Sequence, residues 1–119
     1  MLADEVSNQL LKLPTGDDFA GKSAELMSMW SSVGAGLETL EPILRFMEAN
    51  PSIDYGVPGA LVHFVERFAG PEYERKLIES VDRKPVLQTV WMLNRLINAT
   101  RASSERLNRL VLKQANAEG

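Results

Sequence analysis

Pro58, Pro71 and Pro85 recur at intervals of 13 and 14 residues through the second half of the chain. Proline fixes φ near the helical value and has no N–H, so its least costly helical place is the first turn. Intervals of this size hold about three helical turns plus a tight connection. The spacing predicts helices over 58–69, 71–83 and 85–99. Ala69-Gly70 closes the first, and Arg83-Lys84 sets cations at the negative end of the second. A further helix is expected over 102–116 after Thr100, with Ser103 or Ser104 as alternative caps. Leu107, Leu110 and Val111 would form its apolar stripe, with Arg106, Arg109 and Lys113 on the other side.

The first half reads in the same way. Val6, Leu10, Leu11 and Leu13 predict a helix over 3–13 that Pro14 ends. Phe19, Leu26, Met27, Trp30 and Val33 share one face of a helix over 19–33. Leu37, Leu40, Leu44 and Met47 define a third over 37–49, which tolerates Pro42 if it starts at Glu38 or later. Ser52–Val57 is the longest irregular connection. No segment sustains a period-2 alternation of apolar and polar residues, and no Asn-Gly or Asp-Gly hairpin turn occurs. The expectation is a single all-α domain over 1–119, with six or seven short antiparallel helices. They would pack as a compact bundle or a short stack of helical hairpins.

Composition narrows the function. A 45% hydrophobic fraction in 119 residues allows a real core and sets disorder aside. With no cysteine, disulfide frameworks and Cys-based zinc sites are excluded; one histidine, His63, removes the two-His metal motifs. No cofactor or metal is expected. A net charge of −3 argues against general nucleic-acid binding. Acids at Asp4 and Glu5 replace the positive charge of a signal peptide, and no apolar run approaches a membrane span. The expected location is the cytoplasm, with no membrane partner.

The charge is unevenly spread. Residues 1–60 carry three bases and nine acids, net −6, whereas residues 61–119 carry ten bases and seven acids, net +3. Asp17, Asp18 and Glu25 cluster in the acidic half, which could steer a basic partner. Solvated helix faces that merely differ in sign would give the same pattern.

Individual candidates divide between packing and recognition. His63, Glu66 and Arg67 fall on one helical flank. A His63–Glu66 pair could be an oriented general base, but no nucleophile accompanies it, so a packing or interfacial histidine is the better reading. Asp54 and Tyr55 sit in the long loop, where binding residues often lie, although an ordered Asp-Tyr-Gly turn fits equally well. Leu87, Val90, Trp91, Asn94 and Ile97 predict a buried stripe. Asn94 would then hydrogen-bond the Asp54–Pro58 backbone, or with Arg95 and Asn98 form a recognition surface. Ser80 lacks the glycine elbow of a nucleophile.

The stretch from Asp54-Tyr55-Gly56-Val57-Pro58-Gly59 through Leu61-Val62-His63 resembles a known family, together with Tyr73, Ser80–Arg83, Pro85 and Trp91-Met92-Leu93-Asn94-Arg95. It is similar to the small helical immunity proteins of bacterial polymorphic toxin systems, the contact-dependent and type VI-delivered kinds. The resemblance covers about 50–98 and rests mostly on packing residues. It implies an all-α cytoplasmic protein without enzymatic activity that binds one cognate toxin and blocks it by stoichiometric occlusion. Partner-binding residues would then be Asp17, Asp18, Glu25, Asp54, Tyr55, His63, Glu66 and Arg95, in a monomer or homodimer. A non-catalytic adaptor or scaffold is the alternative, self-associating through a face with Trp30 or with Met27 and Met29.

Overall fold

The computed structural model describes the backbone of residues 1–118 and the side chains of residues 1–113. Among them there is no strand. The elements are α1 (Ala3–Leu11), α2 (Phe19–Ser32), a 3-10 turn (Leu37–Thr39), α3 (Leu40–Ala49), α4 (Ala60–Glu66), α5 (Pro71–Arg83) and α6 (Leu87–Glu118). Helix α3 sits centrally against α1, α5 and α6, while α2 packs on α4 and α5 on α6. The all-α bundle is therefore as expected.

Punctuation set most of these limits. Pro71 occupies the first turn of α5, directly after Gly70. The 3-10 turn precedes α3, so Pro42 falls in the first helical turn, where its missing N–H leaves no broken bond. Helix α4 is shorter than predicted because Gly59, at φ +84°, forms its N-cap. A side chain there would collide with the Tyr55 carbonyl oxygen, and at Gly56, φ +91°, a Cβ would lie 2.7 Å from Gly59 Cα. This glycine contact closes the loop onto the start of α4.

One core joins the helices. Val6, Leu10, Trp30, Leu40, Ile43, Leu44, Met47, Leu61, Val62, Val65, Leu77 and Met92 are essentially without solvent contact. Phe19 stacks on Phe46, and both meet Tyr55 edge-on at 5.5 and 6.4 Å. Trp30 donates its indole N–H to Gln9 and meets Phe64 at 5.7 Å, tying α2 to both α1 and α4. Trp30 and Met27 are buried, so neither offers a face for self-association; Met29 is exposed.

The last helices depart from expectation. The segments predicted over 85–99 and 102–116 form one continuous helix, α6. No proline or glycine lies between Leu87 and Glu118 to end it. The Thr100 hydroxyl donates to the Leu96 carbonyl at 2.9 Å, one turn back, instead of capping a new helix. Its buried stripe is also rotated. Val86, Thr89 and Met92 face the core, with Trp91, Leu93 and Leu96 half-buried, whereas Leu87, Val90 and Ile97 are exposed. Asn94 lies about 200° round the helix from Met92 and is exposed, so it does not tie α6 to the Asp54–Pro58 loop from within the core.

Candidate partner-binding surface

The residues singled out by sequence fall into three places. The first is the end of the bundle where α2 begins. Asp17 and Asp18 immediately precede Phe19, and Asp54 immediately precedes Tyr55. Contact between those two rings brings the two backbone segments together. Asp17, Asp18 and Asp54 are all exposed, and no lysine or arginine occurs within 13–21 or 46–66. Glu25 is exposed one helical stretch further on, where Lys22 approaches it at 3.4 Å.

The loop itself is ordered by its own side chains. The Gly56 N–H donates to the Asp54 carboxylate at 3.0 Å, closing a turn in which Asp54 keeps its outer oxygen for solvent. Of the two sequence readings of Tyr55, a binding residue or part of an ordered turn, the structure shows the ordered turn. The Tyr55 ring is in the core and its hydroxyl donates to the Asn50 carbonyl at 2.7 Å, so it holds the loop and presents nothing to a partner. Burial pushes its phenol pKa well above the ordinary value.

The second place is the junction of α4 and α6. Arg95 donates from Nε and Nη2 to the two oxygens of Glu66, each at 2.9 Å, and its guanidinium lies 5.1 Å from the Trp91 ring centre. A planar guanidinium suits both contacts, so Arg95 clamps α6 onto α4. The pair borders an open cleft of about 540 Å³ that also includes Tyr73, Leu96 and Asn98. The Tyr73 hydroxyl is buried there without a hydrogen-bond partner. Burial, aided by the Glu66 charge, pushes its pKa up to about 12, so it remains a neutral phenol.

His63 occupies the third place, exposed in a shallow groove between α2 and α4 with Met27, Ser31, Phe64 and Arg67. Arg67 donates to the Ser31 hydroxyl at 2.6 Å across that groove. Glu66, the suggested partner of His63, has both oxygens engaged by Arg95. Among the described residues, no group of three His, Asp or Glu side chains could hold a metal ion, and no helix is long and apolar enough to cross a membrane.

One polar site escaped the sequence reading. Glu48, counted among the front-half acids, is buried between α3 and α5. Arg83 donates to both its oxygens at 2.9 and 2.6 Å, and Ser80 donates at 2.8 Å. Its place beside Met47 on the core face of α3 was the available signal. No protein-family model matches the chain, and no curated protein or solved structure shows significant similarity to it.

Proposed function

We propose that this chain is an immunity protein that binds a cognate bacterial toxin one-to-one and blocks it by occlusion. The observation that carries this reading is the set of exposed acids Asp17, Asp18 and Asp54, which neighbour in sequence the two contacting rings of Phe19 and Tyr55. Such a surface suits a basic protein face and speeds its approach. The resemblance over 50–98 supplies the class of partner. Its residues work together: Asp54 and Gly56 shape the loop, while Glu66, Trp91 and Arg95 lock α4 to α6. The reading places the protein in the cytoplasm and assigns it no catalytic turnover.

This reading expects a large toxin gene directly upstream, and the test is co-expression with its product. Protection should follow the molar ratio of the two proteins and reach completion near equivalence. Protection of a large toxin excess by trace protein would overturn occlusion. An adaptor reading is favoured by one observation, the exposed second half of α6, which serves any helix-binding partner equally well.

A further inference from the structure

The outer half of α6 stands clear of the bundle. Every described side chain from Ile97 to Lys113 is exposed, and the molecule measures 62 Å along one axis against 30 and 24 Å. This half is not polar: Leu107, Leu110 and Val111 are 62%, 57% and 66% exposed. Helices gain most of their stability from packing an amphipathic face, and among the described residues nothing from the same chain covers this one.

The stripe has the period of a coiled-coil seam. Val90, Leu93, Ile97, Thr100, Ser104, Leu107 and Val111 follow one another at alternating steps of 3 and 4. It is also palindromic about Ala102. Against an antiparallel copy of itself, Leu93 meets Val111, Ile97 meets Leu107, and Thr100 meets Ser104. Leu96 and Leu110 then flank the seam on one side. The paired length, Leu93 to Val111, is about 27 Å. Arg106, Arg109 and Lys113 lie off the seam, so they stay out of the paired face, although the register sets Arg109 level with Arg95 of the other copy.

The inner half of α6 supplies a receptor for the outer half. An open groove of about 410 Å³ lies between α5 and α6, lined by Ile78, Leu93, Leu96, Ile97, Glu74 and Arg101 among others. Ile78 is 55% exposed within it. The register sets Leu107 and Leu110 of a second copy over this groove, and Arg106 of that copy at the level of Glu74. Arg101 would face its counterpart near the dyad, and Glu74, in the same groove, offsets that repulsion. We propose that two copies of this chain pair through antiparallel α6 helices about a dyad at Ala102, each outer half seated in the α5–α6 groove of the other. Such a face is self-complementary and closes as a two-fold dimer.

Sedimentation equilibrium of the full chain should show a monomer–dimer equilibrium; a chain monomeric at about 100 μM overturns the proposal. Leu107→Asp and Val111→Asp should each raise the dissociation constant about tenfold or more while the helical circular dichroism persists. Glu74→Arg and Arg106→Glu should each weaken pairing, and the double variant should restore it. Register is read with cysteines, which the chain lacks. A mixture of Thr100→Cys and Ser104→Cys chains should oxidise to a disulfide-linked heterodimer, and either variant alone should not cross-link efficiently. Efficient self-cross-linking of each variant would mean parallel pairing and would overturn the antiparallel seam.

Discussion

Arg83 grips both carboxylate oxygens of Glu48, at 2.9 and 2.6 Å, and joins the end of α5 to the end of α3 inside the bundle. Glu48 is buried, whereas the Arg83 side chain is 29% exposed. The asymmetry decides what each loss costs. Removing Arg83 leaves a buried carboxylate with only Ser80 as donor, and a lost charged hydrogen-bond pair of this kind costs about 2–3 kcal/mol. Arg83→Ala should lower stability by that amount in a urea melt, more than Lys84→Ala, whose side chain is exposed. Equal effects would mean that the clamp contributes nothing.

The same pair sets an acid limit. Burial raises the Glu48 pKa, but hydrogen bonds from Arg83 and Ser80 and the Arg83 charge outweigh it, holding the carboxyl below its ordinary 4.5. A group more acidic in the folded chain contributes stability that is complete above its unfolded pKa and lost as pH falls through the folded one. Stability should therefore hold from neutral pH down to about 5 and decline below about 4.5. Glu48→Gln should flatten that decline. Parallel acid curves for the two proteins would show that other carboxylates control it.

The two tryptophans should differ. Trp30 is wholly buried between α1 and α4, so Trp30→Ala should cost about 3–5 kcal/mol through the cavity and the orphaned Gln9. Trp91 is half-buried and shares its ring with Arg95. Its truncation removes less packing and one cation–π contact, so Trp91→Ala should cost about 1–2 kcal/mol. Denaturant melts of both variants decide the order, and a larger loss at Trp91 would contradict this packing.

Gly59→Ala should destabilise the chain despite adding only a methyl group. The added Cβ would run into the Tyr55 carbonyl at a positive φ, so the loop must open or the helix start must shift. A urea melt should show a loss of about 1–3 kcal/mol, against a gain of up to about 1 kcal/mol for Gly21→Ala on the exposed face of α2, where nothing lies within 4 Å; equal shifts would mean that the Gly59 turn imposes no strain.

Proline, glycine and apolar steps carried most of the fold, because each acts within a few residues of itself. Pro71 opens α5 and Gly70 precedes it as expected. The union of the last two helices is not legible from local pattern, because Thr100 fits a cap as well as it fits the backward bond to Leu96, and no breaker follows it to decide. The rotation of α6 is hidden for a different reason. Its sequence has two apolar faces, and period alone cannot say which one meets the bundle. Tyr55 and Glu48 reverse simple expectations, an aromatic loop residue lost to the core and an acid satisfied within it. Both depend on partners more than four residues away, Asn50 and Arg83, which local patterns do not reveal.

The acid end of the bundle gives the functional reading its sharpest test. Asp17, Asp18 and Asp54 are exposed, and Lys22, one turn beyond Asp18, lies 3.4 Å from Glu25, so the three acids contribute to the field a partner meets first. Reversing all three to lysine should slow association with the toxin by about tenfold at low salt and remove most of its salt dependence, because exposed charge acts chiefly on the on-rate. None of the three side chains is buried, so the helices should persist. Asp54→Lys gives up the carboxylate that accepts the Gly56 N–H, and the Asp17/Asp18 double reversal serves as the control with that turn intact. His63→Ala should leave protection intact unless His63 lies in the interface, where binding and protection would fall together, because occlusion requires no proton transfer and Glu66 is held by Arg95. The informative measurement is stopped-flow association across a salt series for the wild type and the three variants. An unchanged on-rate in the triple reversal would move the contact surface away from this end. Loss of protection in His63→Ala, with binding retained, would replace occlusion by chemistry at the α2–α4 groove.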